Sequence, residues 1–159
     1  MSNLNRLLKQ PLGPVPLSLA IFVLIVALVG FADATYLTVE HYRQVIPPCS
    51  ATGGCEEVLT SSYAMILGLP VSLVGAVYYF LILLGTAAYI ESRKTVFLKW
   101  ALLLSILGFA ASLWFVYLQA FVIHSYCAYC LGSAATSTIL GAAAIAVFRS
   151  ELRALRLRP

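Results

Sequence analysis

Charged side chains are scarce in this chain. Ten Lys and Arg and six Asp and Glu amount to 10% of 159 residues, while 62% of the residues are hydrophobic. That balance excludes an ordinary soluble domain, in which roughly 45–50% of residues are apolar. Internal repeats and low-complexity tracts are lacking too, and no soluble domain is expected at either end, so residues 1–159 read as a single membrane domain. The hydrophobic runs also lack alternation of apolar and polar residues. This excludes a membrane β-barrel and leaves helices, which satisfy every backbone group within their own segment.

Four runs are long enough to cross a hydrocarbon core of ~30 Å, which takes roughly 20 helical residues. They cover about 15–39, 64–90, 96–123 and 127–148. Short connections make neighbouring helices antiparallel. The expected fold is an all-α integral membrane protein, a bundle of four transmembrane helices with an outer loop at 40–63 that carries a short helix.

Lys and Arg accumulate on the cytoplasmic side of membrane helices. Arg6 and Lys9 precede the first run, Arg93 and Lys94 lie between the second and third with Lys99 at the start of the third, and Arg149, Arg153, Arg156 and Arg158 follow the fourth, leaving only Arg43 opposite. Both termini are therefore expected in the cytoplasm. The net charge of +4 is a topology signal and asks for no nucleic acid. Membrane lipid is the expected surrounding, and nothing in the pattern specifies an oligomeric state. Ala32-Asp33-Ala34 has the form of a signal-peptidase site, but the preceding apolar stretch exceeds the usual ~7–15 residues, so it reads as a membrane helix.

The same topology puts all four cysteines at the extracytoplasmic face, where disulfides persist. Cys127-Ala128-Tyr129-Cys130 opens the last helix. Residues three apart share a helix face, and a helix N-terminus lowers a thiol pKa. Two buried packing residues, or half of a zinc site, would give the same spacing. Cys49 and Cys55 flank Ser-Ala-Thr-Gly-Gly, in which Gly53 and Gly54 permit unusual backbone angles. A loop closed by these two is geometrically feasible, either as a static brace or as an exchanging pair. Glu56 and Glu57 would occupy the first turn of the short helix that begins at Cys55 and lies over the mouth of the bundle. Asp33, inside the first run, and His124, beside the second pair, are further candidates for proton or thiolate chemistry. Phe31, Tyr36, Tyr63, Tyr78, Phe115, Tyr126 and Tyr129 could line a pocket, or form an interfacial aromatic belt.

Gly30-Phe31-Ala32-Asp33-Ala34-Thr35-Tyr36-Leu37-Thr38, the spaced Cys49 and Cys55, Val58 to Ser62, Leu67 to Gly75 and the C-x2-C pair together resemble the vitamin K epoxide reductase family, and specifically its bacterial members. The resemblance implies a stand-alone form without a fused thioredoxin-like domain, in a bacterial inner membrane. It implies a quinone cofactor, menaquinone or ubiquinone, and a separate thioredoxin-fold, DsbA-like partner. Cys130 would lie nearest the quinone, Cys127 would exchange with Cys55, and Cys49 would meet the incoming protein. Ser61, Tyr63, Phe31 and Tyr129 would bind the quinone, and no metal is implied. The activity would be quinone-dependent thiol oxidation that supports disulfide formation.

Vertebrate members hold the vitamin K ring with an asparagine and a tyrosine. Here the only asparagines are Asn3 and Asn5, and Ala134 stands four residues after Cys130, so an epoxide is not the expected substrate. A DsbB-type reductase performs similar chemistry but carries its C-x2-C in the first outer loop. Two readings of another class remain: a tetraspan scaffold braced by structural disulfides, or a zinc protein.

Overall fold

The computed structural model describes residues 13, 15–49 and 53–157. Arg6, Lys9, Arg158 and the middle of the 49–55 loop lie outside them. Among the described residues, four helices are long and apolar enough to cross a membrane. Helix α1 (Leu17–Tyr42) starts after Pro16, whose extended backbone and missing N–H suit a helix entry. A short helix α2 (Cys55–Leu59) follows, and then a 3-10 turn (Ser62–Ala64). Strands β1 (Met65–Ile66) and β2 (Leu69–Pro70) pair antiparallel, Met65 opposite Pro70 and Ile66 opposite Leu69. Their two-residue turn, Leu67-Gly68, has φ of 52° and 81°, the positive pair that a tight hairpin with matched twist requires. Helices α3 (Val71–Ser92), α4 (Thr95–Leu118) and α5 (Ala128–Leu157) complete the chain, with a π turn (Gln119–Ile123) extending α4.

The short loop helix begins at Cys55 as expected, with Glu56 and Glu57 in its first turn, where the helix dipole favours negative charge. The second membrane helix, expected from about Ala64, begins at Val71. Residues 62–70 are held in the 3-10 turn and the hairpin instead, and Pro70 sets the helix start. Helix α5 runs past Phe148 to Leu157, because the apolar pattern stops before the helical backbone does.

Small residues set the packing. Ala20, Val23, Ala27, Gly30, Ala34 and Leu37 are buried on α1 at spacings of three and four, the stripe that lets a neighbouring membrane helix approach closely. Tyr79 of α3 fills the groove at Gly30, where an added Cβ would run into its ring. Its hydroxyl continues to α5, donating to the Ser133 carbonyl at 2.8 Å and pairing with the Thr136 hydroxyl at 2.8 Å. One side chain thus joins three helices. Isoleucine, leucine and tryptophan side chains such as Ile25, Leu28, Trp100 and Leu113 remain exposed on the outside of the bundle, as lipid contact demands.

Candidate functional site

Cys127 caps α5. Its carbonyl accepts the Leu131 N–H at 2.9 Å and its sulfur receives the Cys130 N–H at 3.4 Å, so the thiol sits among the unpaired donors at the positive end of the helix. A hydrogen bond from the Cys130 thiol lowers its pKa most, and burial opposes that. The N–H groups of Cys130 and Tyr129 lower it further, and the Asp33 charge opposes them. The net effect moves the Cys127 thiol from 9.0 down to about 7. The shift favours thiolate, the attacking form, at Cys127.

The sulfur that this thiolate faces belongs to Cys55. The two Sγ atoms are 3.4 Å apart, with Cys55 1% and Cys127 0% exposed. Cys55 is joined to Cys49 in a disulfide whose Cα atoms are 5.8 Å apart, and Cys49 remains half-buried at the rim. What allows the approach is Gly54. A Cβ there would sit 2.8 Å from the Tyr126 nitrogen and 3.0 Å from both the Tyr126 oxygen and the Ser125 Cβ. Any other residue at 54 would push α2, and Cys55 with it, away from the head of α5.

On the cavity side of this sulfur contact stands Cys130. It lines a space of about 780 Å³ within the bundle, bordered by α1, the loop, α3, α4 and α5. That volume lies in the ~300–1,000 Å³ range of small-molecule sites. Its walls are mainly apolar, Leu37, Val74, Leu104, Leu107 and Phe115 among them. Polar side chains are the minority of the lining and come from several elements, Glu40, His41 and Gln119 among them; nearest Cys130 in sequence is Ser133, one turn beyond it, and the Tyr78 hydroxyl meets that of Ser137 at 3.2 Å. The arrangement can pass electrons between two dithiol pairs and hold a flat, mostly apolar molecule beside the second.

Residues 21–145 match the vitamin K epoxide reductase family. The chain belongs to that family. A search of curated proteins finds no match. Membership makes this vitamin K epoxide reductase relative a multi-pass membrane oxidoreductase with a disulfide-related function. The family is one that uses quinones, and the cavity chemistry fits such a group: apolar walls, a thiol and a small set of hydroxyls.

In this family member the four cysteines come together as a chain of sulfurs from the rim to the cavity. Of the four residues expected to touch a quinone, Ser61 and Tyr63 line the cavity. The Ser61 hydroxyl donates to the Val58 carbonyl at 2.8 Å, closing the end of α2. Phe31 and Tyr129 do not line it. Phe31 packs on Phe80 at 5.9 Å, and Tyr129 lies against Tyr36 at 5.5 Å and reaches the Pro48 carbonyl. Asp33 keeps one buried carboxylate oxygen without a hydrogen-bond partner. His124 is an exposed turn residue with φ of 56°. Sequence reasoning missed Gln119, whose only signal is a carboxamide in an otherwise apolar segment eight residues before Cys127.

Proposed function

We propose that this protein is a quinone-dependent thiol oxidase that reoxidises a separate thioredoxin-fold, DsbA-like partner. The observation that carries the reading is the 3.4 Å contact between Cys55, still bonded to Cys49, and Cys127, whose neighbour Cys130 lines the cavity. In the forward direction a partner dithiol opens Cys49–Cys55 by attack at Cys49, the more accessible sulfur, which forms a partner–Cys49 disulfide and releases Cys55 as thiolate. The partner's second thiol then attacks its own sulfur in that mixed disulfide, so the partner leaves oxidised and Cys49 is freed as thiolate. The released Cys55 thiolate then attacks Cys127 of a Cys127–Cys130 disulfide. The Cys55–Cys127 bond forms and Cys130 leaves as thiolate. Cys49 then attacks Cys55, restoring the loop disulfide and freeing Cys127. Cys49–Cys55 oxidised with Cys127 and Cys130 reduced is the state after this transfer, and it is the state described above.

A quinone in the cavity would take up two electrons and two protons as Cys127 and Cys130 close to a disulfide. The chain itself supplies Cys130 at the cavity wall with Cys127 beside it, the Tyr78–Ser137 hydroxyl pair as a hydrogen-bonding site for a ring oxygen, and mainly apolar walls. The basic residues at 93–99 and 149–158 support cytoplasmic termini, with the cysteines facing the extracytoplasmic side of a bacterial inner membrane. The scaffold and zinc readings fare worse: two of the four sulfurs are already bonded to each other, and a third is an activated thiol aimed at them.

The test is quinone reduction, followed by absorbance, by the purified chain in detergent with either a reduced thioredoxin-fold donor or a small dithiol. Cys130→Ala should abolish activity with both donors, whereas Cys49→Ala should lose the protein donor and keep the small one. Absence of quinone reduction by the intact protein with either donor would overturn the proposal.

A further inference from the structure

Cys127 is held by something other than its own helix. At the top of α4 the helix widens into the π turn Gln119–Ile123 and stops at His124, whose left-handed backbone reverses the chain. Single π turns inside α-helices recur at functional sites because they reposition a side chain without ending the element. The residue repositioned here is Gln119, 2% exposed and on the cavity wall. Its carbonyl oxygen accepts the N–H of His124 and that of Ser125, the latter at 3.2 Å. Its side-chain Oε1 accepts the N–H of Cys127 at 2.9 Å. One residue therefore ties both ends of the 124–127 turn, the turn that also meets Gly54 from the loop side.

We propose that Gln119 is a positioning residue for thiol exchange, fixing the Cys127 backbone so that its sulfur stays against Cys55. The inference rests on the reading of Cys55 and Cys127 as exchanging sulfurs. Gln119 touches neither sulfur in any contact described above; it acts through the backbone of Cys127. The N–H it satisfies is buried, and a buried donor left without an acceptor is costly. Removing the acceptor makes the turn seek another partner, and the Cys127 sulfur leaves its place. A shorter or apolar side chain cannot hold the N–H, whereas glutamate keeps an acceptor oxygen at the same reach whether or not it is ionised.

The measure of positioning is the effective concentration of one thiol at the other, obtained without quinone or partner protein. In the full chain carrying Cys49→Ala and Cys130→Ala, equilibration with glutathione follows a balanced exchange: the Cys55 and Cys127 thiols plus one glutathione disulfide give the Cys55–Cys127 disulfide plus two glutathione thiols. In that background Gln119→Leu should lower the effective concentration about tenfold, the scale of one lost buried hydrogen bond. Gln119→Glu should restore it to within about twofold of the parent. A reference pair, Cys49–Cys55 in a Cys127→Ala, Cys130→Ala background, should be unmoved by either change. If Gln119→Leu does not fold, Gln119→Asn withdraws the acceptor while keeping the carboxamide, and should give the same loss. Equal effective concentrations in the parent, Leu or Asn, and Glu forms would overturn the proposal, as would a parallel fall in the reference pair. Because no quinone enters the measurement, failure of quinone reduction leaves this result standing.

Discussion

Replacing Cys130 by alanine tests where the reactivity of Cys127 comes from. The Cys130 thiol is the largest contributor to the lowered pKa of Cys127, and burial works against it, so removing that hydrogen bond should return the thiol from about 7 toward 9. At pH 7 the thiolate fraction then falls from about one half to about 1%, a loss of roughly 50-fold. The observed rate changes less, because a more basic thiolate is intrinsically the better nucleophile. With a Brønsted coefficient of about 0.4–0.5, the rise in pKa from about 7 to about 9 returns roughly eightfold. Alkylation of Cys127 by iodoacetamide, quantified by mass spectrometry, should therefore be about sixfold slower in Cys130→Ala at pH 7. Above about pH 9 the variant should be the faster, so that the two pH profiles cross near pH 8. The sign is specific: the thiolate is stabilised in the folded protein, so the advantage of the parent exists at neutral pH and disappears as the pH rises. Superimposable profiles, or a parent midpoint near 9, would refute the assignment and move the activation to the backbone N–H groups or to nothing at all.

Gly54→Ala should displace Cys55 without touching a sulfur, because the added Cβ meets Tyr126 at 2.8 Å. Trapping of the Cys55–Cys127 disulfide under mild oxidation should fall about tenfold while the thermal midpoint stays within a few degrees, the signature of a lost approach in a loop and not of a lost core. Gly30→Ala should do the reverse. Its Cβ runs into the Tyr79 ring at the heart of the bundle, so it should destabilise the protein by about 1–3 kcal/mol in denaturant or thermal unfolding, with Cys127 alkylation at pH 7 unchanged in the folded fraction.

Much of the fold was legible because lipid leaves few alternatives. Continuous apolar runs of membrane length can only be helices, and Glu56 and Glu57 after Cys55 announced the short loop helix. The start of α3 was not legible. Residues 64–70 are apolar enough to continue a membrane run, and only the Leu67-Gly68 turn and Pro70, both local backbone matters, divert them into a hairpin. At the site, cysteine spacing marked the two pairs that the fold brings together, whereas the cavity wall depends on which helix face turns inward. Tyr78 and Tyr79 are adjacent in sequence, and both line the cavity with hydroxyls bonded to α5. Phe31 and Tyr129 are as aromatic but turn to Phe80 and Tyr36. Gln119 escaped because its role arises from a π turn, and a π turn leaves no periodicity to read.

Tyr79, joined to α1 through Gly30 and to α5 through Ser133 and Thr136, has a consequence for how inherited variation in this protein would sort. Three of the four membrane helices share that one anchor, while α2 is five residues long and rests on the bundle near Gly54. The working residues thus sit on a small loop element, at the end of α4 and at the head of α5, while the rest of the bundle is packing. Substitutions among the packing residues around Tyr79, away from Gln119, Cys127 and Cys130, should appear as low abundance in the cell with normal turnover per surviving molecule. Substitutions between Cys49 and Ser61 should appear as normal abundance with poor turnover. A survey that scores protein level and redox output separately would draw the boundary between the two along the chain.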